Sequence, residues 1–424
     1  MDQKLTVALL NDSFPPTIDG VANTVLNYAE IIEKKYGHAM VATPAYPGVT
    51  DSYPFPVVRY RSFDTVRAFG YRTGDPFDPD AVDWLSGFGP DILHSHCPVM
   101  STVLLRHLRN LTGAPLVFTY HTKFDIEIGR GVKLGIIKNA AIKAMIDNIE
   151  ACDEVWAVNK GAGENLVSLG YTGKYRVMPN GVGFPRGPVE REETEKISEK
   201  HGLPDGVPCF LFVGRMMWYK GQRIILDGLA SMRERGYDFR MIFIGDGVDF
   251  DAISEYSRNL GLGDRVFFTG AIRDKELLRA YYSRADLFIL PSVFDNNPIV
   301  CKEAAACATA SVLIRDSSPA EGVTDGKNGM LIEEDPDSLA SALEKIYSDP
   351  TLTRRLGDGA LNDLYVSWED MMKEVTARYA EIIAAAKNHD LRPRKKELSD
   401  VAVSLMSDTY TRLSNVREFF RNYI

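Results

Sequence analysis

Four charged side chains in the second half of the chain have the types and the spacing needed to hold a phosphorylated ligand. Arg215 and Lys220 flank one loop in FVGRMMWYKG, where two fixed cations could neutralise a diphosphate. Asp295 and Glu303 lie eight positions apart, one on each side of an expected helix start. Taken alone, the four also fit ordinary surface cations, a helix cap and a surface ion pair, so both interpretations stay open at this point.

The helix start between the two carboxylates is predicted at Asn297-Pro298. Asn297 can cap a helix, and Pro298 suits a first helical turn. The preceding ADLFILPS is apolar and ends at Pro291-Ser292, which indicates a buried strand. A strand, a loop and a helix start in succession form the usual ligand position of a parallel α/β sheet, and the free amides of the helix favour an anion.

Short apolar runs alternate with helical patterns along most of the chain, which predicts parallel sheets built from right-handed crossover units. The runs form two series, and these indicate two doubly wound α/β domains. The predicted strands are KLTVALLND, AMVATPA, DILHSH, PLVFTYHT, EVWAVN and YRVMPNG in the first series, and PCFLFVGR, RMIFIGDG, RVFFTG, DLFILPS and SVLIRD in the second. Gly and Pro cluster in 179–193, where a domain boundary fits.

The composition is typical of a large enzyme of the cytosol. A length of 424 residues accommodates two or three domains, and 45% apolar with 25% charged residues is ordinary for globular proteins. A net charge of −9 argues against nucleic acid as a partner. The five cysteines are scattered without a CxxC pair, as in reduced cytosolic proteins. Since no apolar run suits a signal peptide or a membrane span, we expect the protein in the cytosol or peripherally at a membrane surface.

Other conspicuous residues allow both a structural and a functional interpretation. Gly20, in TIDGV, lies where the chain turns into a helix, but the GxGxxG dinucleotide fingerprint is absent. His94, His96 and Cys97 resemble metal ligands but lack a fourth one, so a structural role at a strand end is favoured. His121 also ends a predicted strand.

The order of TIDGV, YHT, MPNGV, GRxxxxKG, IGDG, FTG, PS, D-x7-E and NG resembles the family 4 retaining glycosyltransferases of the GT-B fold, over about residues 5–385. The resemblance implies two Rossmann-like doubly wound domains that face a central cleft, with a C-terminal helix crossing back to the first domain. The predicted parts are an acceptor domain at 1–187, a nucleotide-sugar domain at 188–366, the crossover helix at 367–387 and a basic amphipathic helical tail at 388–424.

The resemblance also assigns roles to the residues that match the family's motifs. Gly20 resembles the glycine whose backbone approaches the donor phosphate, and His121 resembles the histidine that faces the donor sugar. Arg215 and Lys220 match the basic pair that holds the diphosphate and stabilises the leaving group. Because preorganised cations can stabilise that charge, we expect no metal and no other cofactor.

Glu303 matches the second glutamate of the family's E-x7-E signature, which accepts hydrogen bonds from the ribose. Asp295 stands in the first glutamate's place, where the family contacts the donor sugar, and its side chain is one methylene shorter. The remaining donor-binding positions are Ile272, whose main chain would meet the base, and Asn296, Asn297, Pro298 and Ile299, whose backbone could reach sugar or phosphate.

The donor and the acceptor are implied less directly. UDP-glucose is the favoured donor. The first-domain motif and HTKF look similar to glycosyl-diacylglycerol synthases, which points to a membrane lipid such as diacylglycerol as acceptor, in glycolipid biosynthesis. The alternatives are a soluble sugar or polysaccharide acceptor, a nucleotide-sugar epimerase of the same fold, or a protein that binds nucleotide sugar without turnover.

Two basic segments could bring the protein to an anionic surface at the inner face of the plasma membrane. The first is 129–151, with Lys133, Lys138 and Lys143 among apolar residues. The second is the tail, whose basic residues precede an apolar repeat at 3.6-residue spacing. The basic residues are Lys387, Arg392, Arg394, Lys395 and Lys396, and the repeat is Leu398, Ala402, Met406, Tyr410, Leu413, Val416 and Phe420. Each segment could instead be a helix packed on the protein.

Overall fold

The chain divides into two units. Unit 1 comprises Met1–Pro179 and Met371–Ile424, and unit 2 comprises Asn180–Asp370. The computed structural model describes residues 4–17, 20–66, 72–121, 135–391, 400–401, 403–409 and 412, with only the backbone of 135–137. The division lies a few residues before the predicted 187/188 boundary. The reason is that Val182 pairs with Ser367 in a short bridge, which joins this stretch to unit 2.

The described part of unit 1 is built on a parallel sheet of seven strands in the order β3-β2-β1-β6-β7-β8-β9, with β4 and β5 as a separate antiparallel pair. The strands are β1 (Leu5–Leu10), β2 (Gly37–Pro44), β3 (Val57–Tyr60), β4 (Ser62–Phe63), β5 (Thr73–Gly74), β6 (Ile92–Ser95), β7 (Leu116–Tyr120), β8 (Glu154–Ala157) and β9 (Tyr175–Val177). Helices follow most strands: α1 (Gly20–Ile31), α2 (Pro79–Gly87), α3 (Met100–Thr112), α4 (Gly135–Glu150) and α5 (Lys160–Ser168).

Unit 2 repeats this design with six parallel strands in the order β12-β11-β10-β13-β14-β15. They are β10 (Cys209–Val213), β11 (Arg240–Ile244), β12 (Val266–Phe268), β13 (Leu287–Leu290), β14 (Ser311–Ile314) and β15 (Gly329–Ile332). The helices are α6 (Arg191–His201), α7 (Gln222–Glu234), α8 (Phe250–Asn259), α9 (Lys275–Arg284), α10 (Ile299–Ala306), α11 (Pro336–Ser348) and α12 (Leu352–Asp363). The predicted α/β class with two doubly wound parallel sheets is therefore confirmed.

Local chemistry explains where many of these elements begin and end. The central strands β6, β7, β10 and β13 are buried along their whole length, because helices cover both faces of a parallel sheet. Asp78, Asn159, Asp274 and Asp335 cap the starts of α2, α5, α9 and α11 by accepting a backbone amide hydrogen. The edge strands β3 and β15 were not predicted, although the edge strands β9 and β12 were.

The predicted crossover helix exists as α13 (Trp368–Lys387). From Met371 onward it belongs to unit 1. There Arg378 forms an ion pair with Glu154, and Tyr379 stacks on Trp156 with ring centroids 5.6 Å apart.

The described part of the tail is helical and docks on α3 through a mainly polar face. Arg106 donates to Asp400 at 2.8 Å, and His107 and Ser407 are hydrogen-bonded at 2.7 Å. Val403 is buried between these contacts. This supports the docked alternative for residues 400–409.

The exposed residues of the same tail helix include three apolar ones, beside Ser404, Asp408 and Thr409. Val401, Leu405 and Met406 are 58%, 61% and 47% exposed. Met406 is the member of the predicted apolar repeat whose side chain the structure describes. The other members of that repeat, and the basic residues at 392, 394, 395 and 396, lie outside the described residues.

The other basic segment, 129–151, contains α4, which packs on the core of unit 1 through Met145, Ile146 and Ile149. Lys143 is exposed and pairs with Asp147 at 3.1 Å. Lys133 lies outside the described residues. The second half of this segment is therefore the packed helix that was one of the two alternatives. Among the described residues, no helix has the length and apolar character needed to cross a membrane.

Candidate active site

The predicted site residues lie at or beyond the carboxyl ends of parallel strands, nine in unit 2 and two in unit 1. In parallel α/β sheets this edge is where ligands bind. In unit 2, Arg215 and Lys220 follow β10, Ile272 follows β12, and Asp295 follows β13. In unit 1, Gly20 opens α1 after β1, and His121 directly follows β7.

The loop that carries Arg215 and Lys220 is held by close backbone contacts that require glycine. Gly221 has φ +88°, and a Cβ there would lie 2.1 Å from the carbonyl oxygen of Pro291. Gly245, at the end of β11, has φ +142°, and its Cβ would lie 1.9 Å from the carbonyl oxygen of Gly214. Neither contact tolerates a side chain, so the loops after β10, β11 and β13 pack directly against one another.

This packing brings Lys220 to Asp295. The Lys220 Nζ donates a hydrogen bond to Asp295 Oδ1 within an ion pair, and the two side chains are 13% and 17% exposed. The other carboxylate oxygen, Oδ2, is buried and has no hydrogen-bond partner among the described residues. Two residues predicted for different parts of one ligand are thus direct neighbours.

Arg215 is exposed, and its guanidinium makes no ion pair with any described residue. Its position is set by its backbone, since the carbonyl oxygen of Arg215 accepts a hydrogen bond from the Gln222 side chain at 3.1 Å. A guanidinium in this setting can pivot to meet a phosphate with two parallel hydrogen bonds.

The helix after Asp295 begins one residue later than predicted. Its first residue is Ile299, and Pro298 rather than Asn297 occupies the cap position, with ψ 119°. The prediction of Asn297 as cap is therefore wrong. The reason is that Pro298 itself stays extended, so the first helical turn starts after it. Proline has no side-chain acceptor, and the start of α10 receives no side-chain cap.

Asn296 is buried, and Asn297, Pro298 and Ile299 are half-buried along this approach to the helix. Ile272 is also half-buried and packs against the core of unit 2. These five positions are located as the sequence placed them, beyond strands β12 and β13. Their contacts with a donor stay a prediction.

Glu303 is half-buried on α10 rather than on a solvated face. Burial raises the pKa of its carboxyl to about 7, although a hydrogen bond from the Tyr282 hydroxyl at 3.0 Å opposes this rise. The neighbouring Lys302 is also half-buried, and desolvation lowers its pKa to about 8. Lys302 Nζ donates to the carbonyl oxygen of Asn180, which ties α10 to the start of unit 2. Periodicity alone did not single out Lys302.

In unit 1, Gly20 has open space where a Cβ would be, so no internal contact demands glycine there. That is compatible with a close approach by a ligand. His121 lies beside His96, with Nε2 and Nδ1 of the two rings 2.9 Å apart. Burial lowers the pKa of His121 to about 3, so its ring is neutral at physiological pH.

His96 and His94 form a buried layer behind His121. Burial lowers the pKa of both well below the usual value. His94 is hydrogen-bonded to the hydroxyl groups of Tyr379 and Thr119, and Cys97 donates to Asp12. The described residues contain no group of three or more His, Cys, Asp or Glu that could hold a metal ion. The structural interpretation of His94 is thereby supported, whereas His96 directly supports a predicted site residue, which the sequence did not reveal.

The fold of this chain is shared with solved glycosyltransferases. HepE of Anabaena, in complex with UDP, superposes with a TM-score of 0.72 at 17% identity, over 89% of this chain and all of that one. Two doubly wound units, with glycine-rich and charged loops at the strand ends of one of them, define the GT-B fold.

Family models and relatives give the particular family. The model for Glycosyltransferase Family 4 matches residues 18–183, and the model for glycosyl transferases group 1 matches residues 193–363. The alpha-monoglucosyldiacylglycerol synthase of Streptococcus pneumoniae is 23% identical over 388 residues, 89% of this chain and 86% of that one. A GDP-mannose-dependent alpha-mannosyltransferase of Corynebacterium glutamicum is 24% identical, over 90% of each chain. The chain belongs to the family 4 glycosyltransferases.

Proposed function

We propose that this glycosyltransferase moves a hexose, favouring glucose, from a UDP-sugar to an acceptor hydroxyl with retention of anomeric configuration. The favoured acceptor is a membrane lipid such as diacylglycerol. The observation that carries the proposal is the grouping of Lys220, Asp295 and the start of α10, with Arg215 in the same loop system. This group offers two cations and the N-terminal end of a helix to a diphosphate.

The chemistry follows from where charge develops. The bond between the anomeric carbon and the diphosphate oxygen breaks, and its electron pair goes to the diphosphate. Arg215, Lys220 and the helix amides stabilise that charge without a metal ion. The acceptor oxygen bonds to the anomeric carbon on the face that the diphosphate leaves, and its proton passes to a departing phosphate oxygen.

The two carboxylates would hold opposite ends of the donor. Glu303, in its charged form, accepts hydrogen bonds from the ribose hydroxyls. The free oxygen of Asp295 accepts a hydrogen bond from the hexose. Because the other oxygen of Asp295 is paired with Lys220, the carboxylate serves as a binding group rather than as a nucleophile.

In unit 1, His121 would contact the donor sugar. A neutral imidazole at this position offers one hydrogen-bond donor and one acceptor, which suits a hydroxyl better than a phosphate. Gly20 leaves room for the backbone to approach the donor phosphate.

The lipid acceptor is supported by the exposed side of the tail helix. Val401, Leu405 and Met406 expose three apolar side chains to the outside, while Asp400 and Ser407 hold the helix on α3. In the sequence, a basic stretch precedes this helix. Each cation near an anionic bilayer contributes about 1 kcal/mol, so the combination favours peripheral attachment to such a surface from the cytosolic side. The similarity to the pneumococcal alpha-monoglucosyldiacylglycerol synthase points the same way.

A screen of nucleotide sugars tests the proposal. Purified protein is incubated with UDP-glucose, UDP-galactose or GDP-mannose, with and without diacylglycerol in anionic vesicles, and nucleotide release is measured. We expect release of UDP from UDP-glucose only when lipid is present, and full activity in excess EDTA. Release of UDP with a soluble sugar acceptor instead would show that the acceptor is a soluble sugar rather than a lipid. Conversion of the UDP-sugar without any acceptor would identify an epimerase, and activity restored only by Mn²⁺ would refute the metal-free chemistry.

A further inference from the structure

The ion pair between Lys220 and Asp295 couples the diphosphate end of the proposed donor to its sugar end. The two side chains are mostly buried, and their loops are locked by the contact of Gly221 with Pro291. A phosphate that approaches Lys220 therefore meets a carboxylate on the same ammonium group. The phosphate and the Asp295 carboxylate are both negative and repel each other at such a distance, unless a third group binds between them.

The second oxygen of Asp295 shows which group could intervene. Oδ2 is buried without a hydrogen-bond partner among the described residues. A buried acceptor without a donor raises the free energy of the site, and a hydroxyl group would relieve that cost. A hexose attached to the diphosphate carries such hydroxyls next to the phosphate, whereas UDP alone carries none at that end.

We infer that Asp295 discriminates between the UDP-hexose donor and the UDP product, by binding the donor's sugar and by competing with the product's phosphate for Lys220. This rests on the proposed function of the same site. With the donor, a sugar hydroxyl donates to Oδ2 and spreads the carboxylate charge. With UDP, that hydroxyl is absent and the terminal phosphate carries an additional negative charge near neutral pH. Asp295 thus weakens product binding and promotes product release.

Isothermal titration calorimetry with UDP and with UDP-glucose, without acceptor, tests this on the full-length wild-type protein and on Asp295→Asn. We expect Asp295→Asn to bind UDP about tenfold more tightly, as removal of one partly shielded like charge predicts. It should bind UDP-glucose no more tightly than the wild type does. The preference for donor over product therefore falls by about tenfold or more, and inhibition of turnover by UDP becomes correspondingly stronger.

A matched control is Asp363→Asn, which removes the carboxylate of another lysine ion pair of unit 2, Lys327–Asp363 at 2.9 Å. It should leave both affinities unchanged. Asp295→Ala should change the two affinities in the same way as Asp295→Asn. The test can therefore still be made if one of the two variants fails to fold. Thermal unfolding identifies such a failure.

The outcomes separate the two levels of the proposal. If the wild-type protein binds neither UDP nor UDP-glucose, the proposed function fails. If the wild type binds UDP and both Asp295 variants bind it equally well or more weakly, the inference is overturned while the proposed function stands. If Lys220→Gln leaves UDP affinity unchanged, Lys220 is not a cation for which Asp295 and the phosphate compete. The inference is then also overturned.

Discussion

At the carboxyl ends of its strands, unit 2 presents the charged residues Arg215, Lys220 and Asp295, whereas unit 1 presents the neutral rings of His96 and His121. Both sheets are parallel, and both place their candidate residues at the same edge. The difference lies in charge, because the two histidines and the pair of Lys220 with Asp295 are all largely removed from solvent. Burial lowers the pKa of the two histidines, whereas Lys220 and Asp295 form an ion pair.

This difference matches the two kinds of group in a nucleotide sugar. A diphosphate needs cations and amides, because its charge increases as the sugar leaves. Hydroxyl groups need neutral donors and acceptors, and a charged histidine beside them would also attract the phosphate to the wrong place. Under the proposed function, the same architecture would serve two chemistries through the surroundings of its strand ends.

The largest expected effect comes from removing a cation of unit 2. Arg215→Ala should lower kcat by roughly 10²–10³, the usual loss for one group that stabilises charge in the transition state. Steady-state kinetics of UDP release measures this. Arg223→Ala is the control, since Arg223 lies over the Trp218 and Tyr256 rings in the neighbouring helix. Equal losses in both variants would show a general effect on the loop rather than a specific role of Arg215.

A smaller effect should follow from Glu303, the half-buried carboxyl of unit 2. Glu303→Gln should weaken UDP binding roughly 10–100-fold, because hydrogen bonds to a charged acceptor contribute about 1.5–3 kcal/mol each. The pKa of about 7 gives this interaction a pH dependence. Only the deprotonated form accepts both ribose hydroxyls, so wild-type affinity should rise as pH increases through 7.

Calorimetry of UDP binding between pH 6 and pH 8 checks the sign of this dependence. The phosphate of UDP also titrates near the lower end of this range, with a pKa of about 6. Glu303→Gln retains that contribution and loses the one from the carboxyl. A pH profile with the same slope in both proteins would exclude Glu303 as the titrating group.

The neutral side of the comparison can be tested at His96. His96→Leu removes the ring that touches His121 and should lower kcat by about tenfold, since a single hydrogen bond contributes about 0.5–1.5 kcal/mol. His96→Asn places an amide near the position of Nδ1 and should recover most of that loss. The readout is kcat together with KM for the donor. Equal damage by Leu and Asn would indicate that His96 only fills space.

Substitutions in the tail helix should have the smallest effect on catalysis. They should specifically weaken attachment to the membrane surface. Leu405→Ser with Met406→Ser should lower sedimentation with anionic vesicles several-fold, because two apolar side chains no longer enter the bilayer. The thermal midpoint and UDP affinity should not change, since both side chains are already exposed. Phe63→Ser, at an exposed apolar residue of unit 1, is the control. Vesicle binding unchanged by the double substitution would remove the tail helix from the membrane proposal.

Much of the fold could be predicted from the sequence, because continuous apolar runs mark strands that are buried on both faces. The strands β6, β7, β10 and β13 were all anticipated for this reason. The edge strands β3 and β15 were not, and neither was the antiparallel pair β4 and β5. The start of α10 was misplaced because the conformation of Pro298 depends on the loop around it.

The residue types at the site were also apparent from the sequence alone. Spacing and resemblance identified Arg215, Lys220, Asp295, Glu303 and His121, because diphosphates, ribose and sugars each demand particular side chains. Their identities as donor contacts stay predictions. Their positions beyond the strand ends follow from the alternation of strands and helices.

Only the tertiary structure decided how these residues affect one another. The pairing of Lys220 with Asp295 depends on Gly221 lying directly against Pro291, a contact between loops far apart in sequence. The raised pKa of Glu303 depends on burial inside unit 2, and the neutrality of His121 depends on burial beside His96 in unit 1. Charge and protonation are set by the surroundings of a side chain, and those surroundings come from distant parts of the chain that only folding brings together.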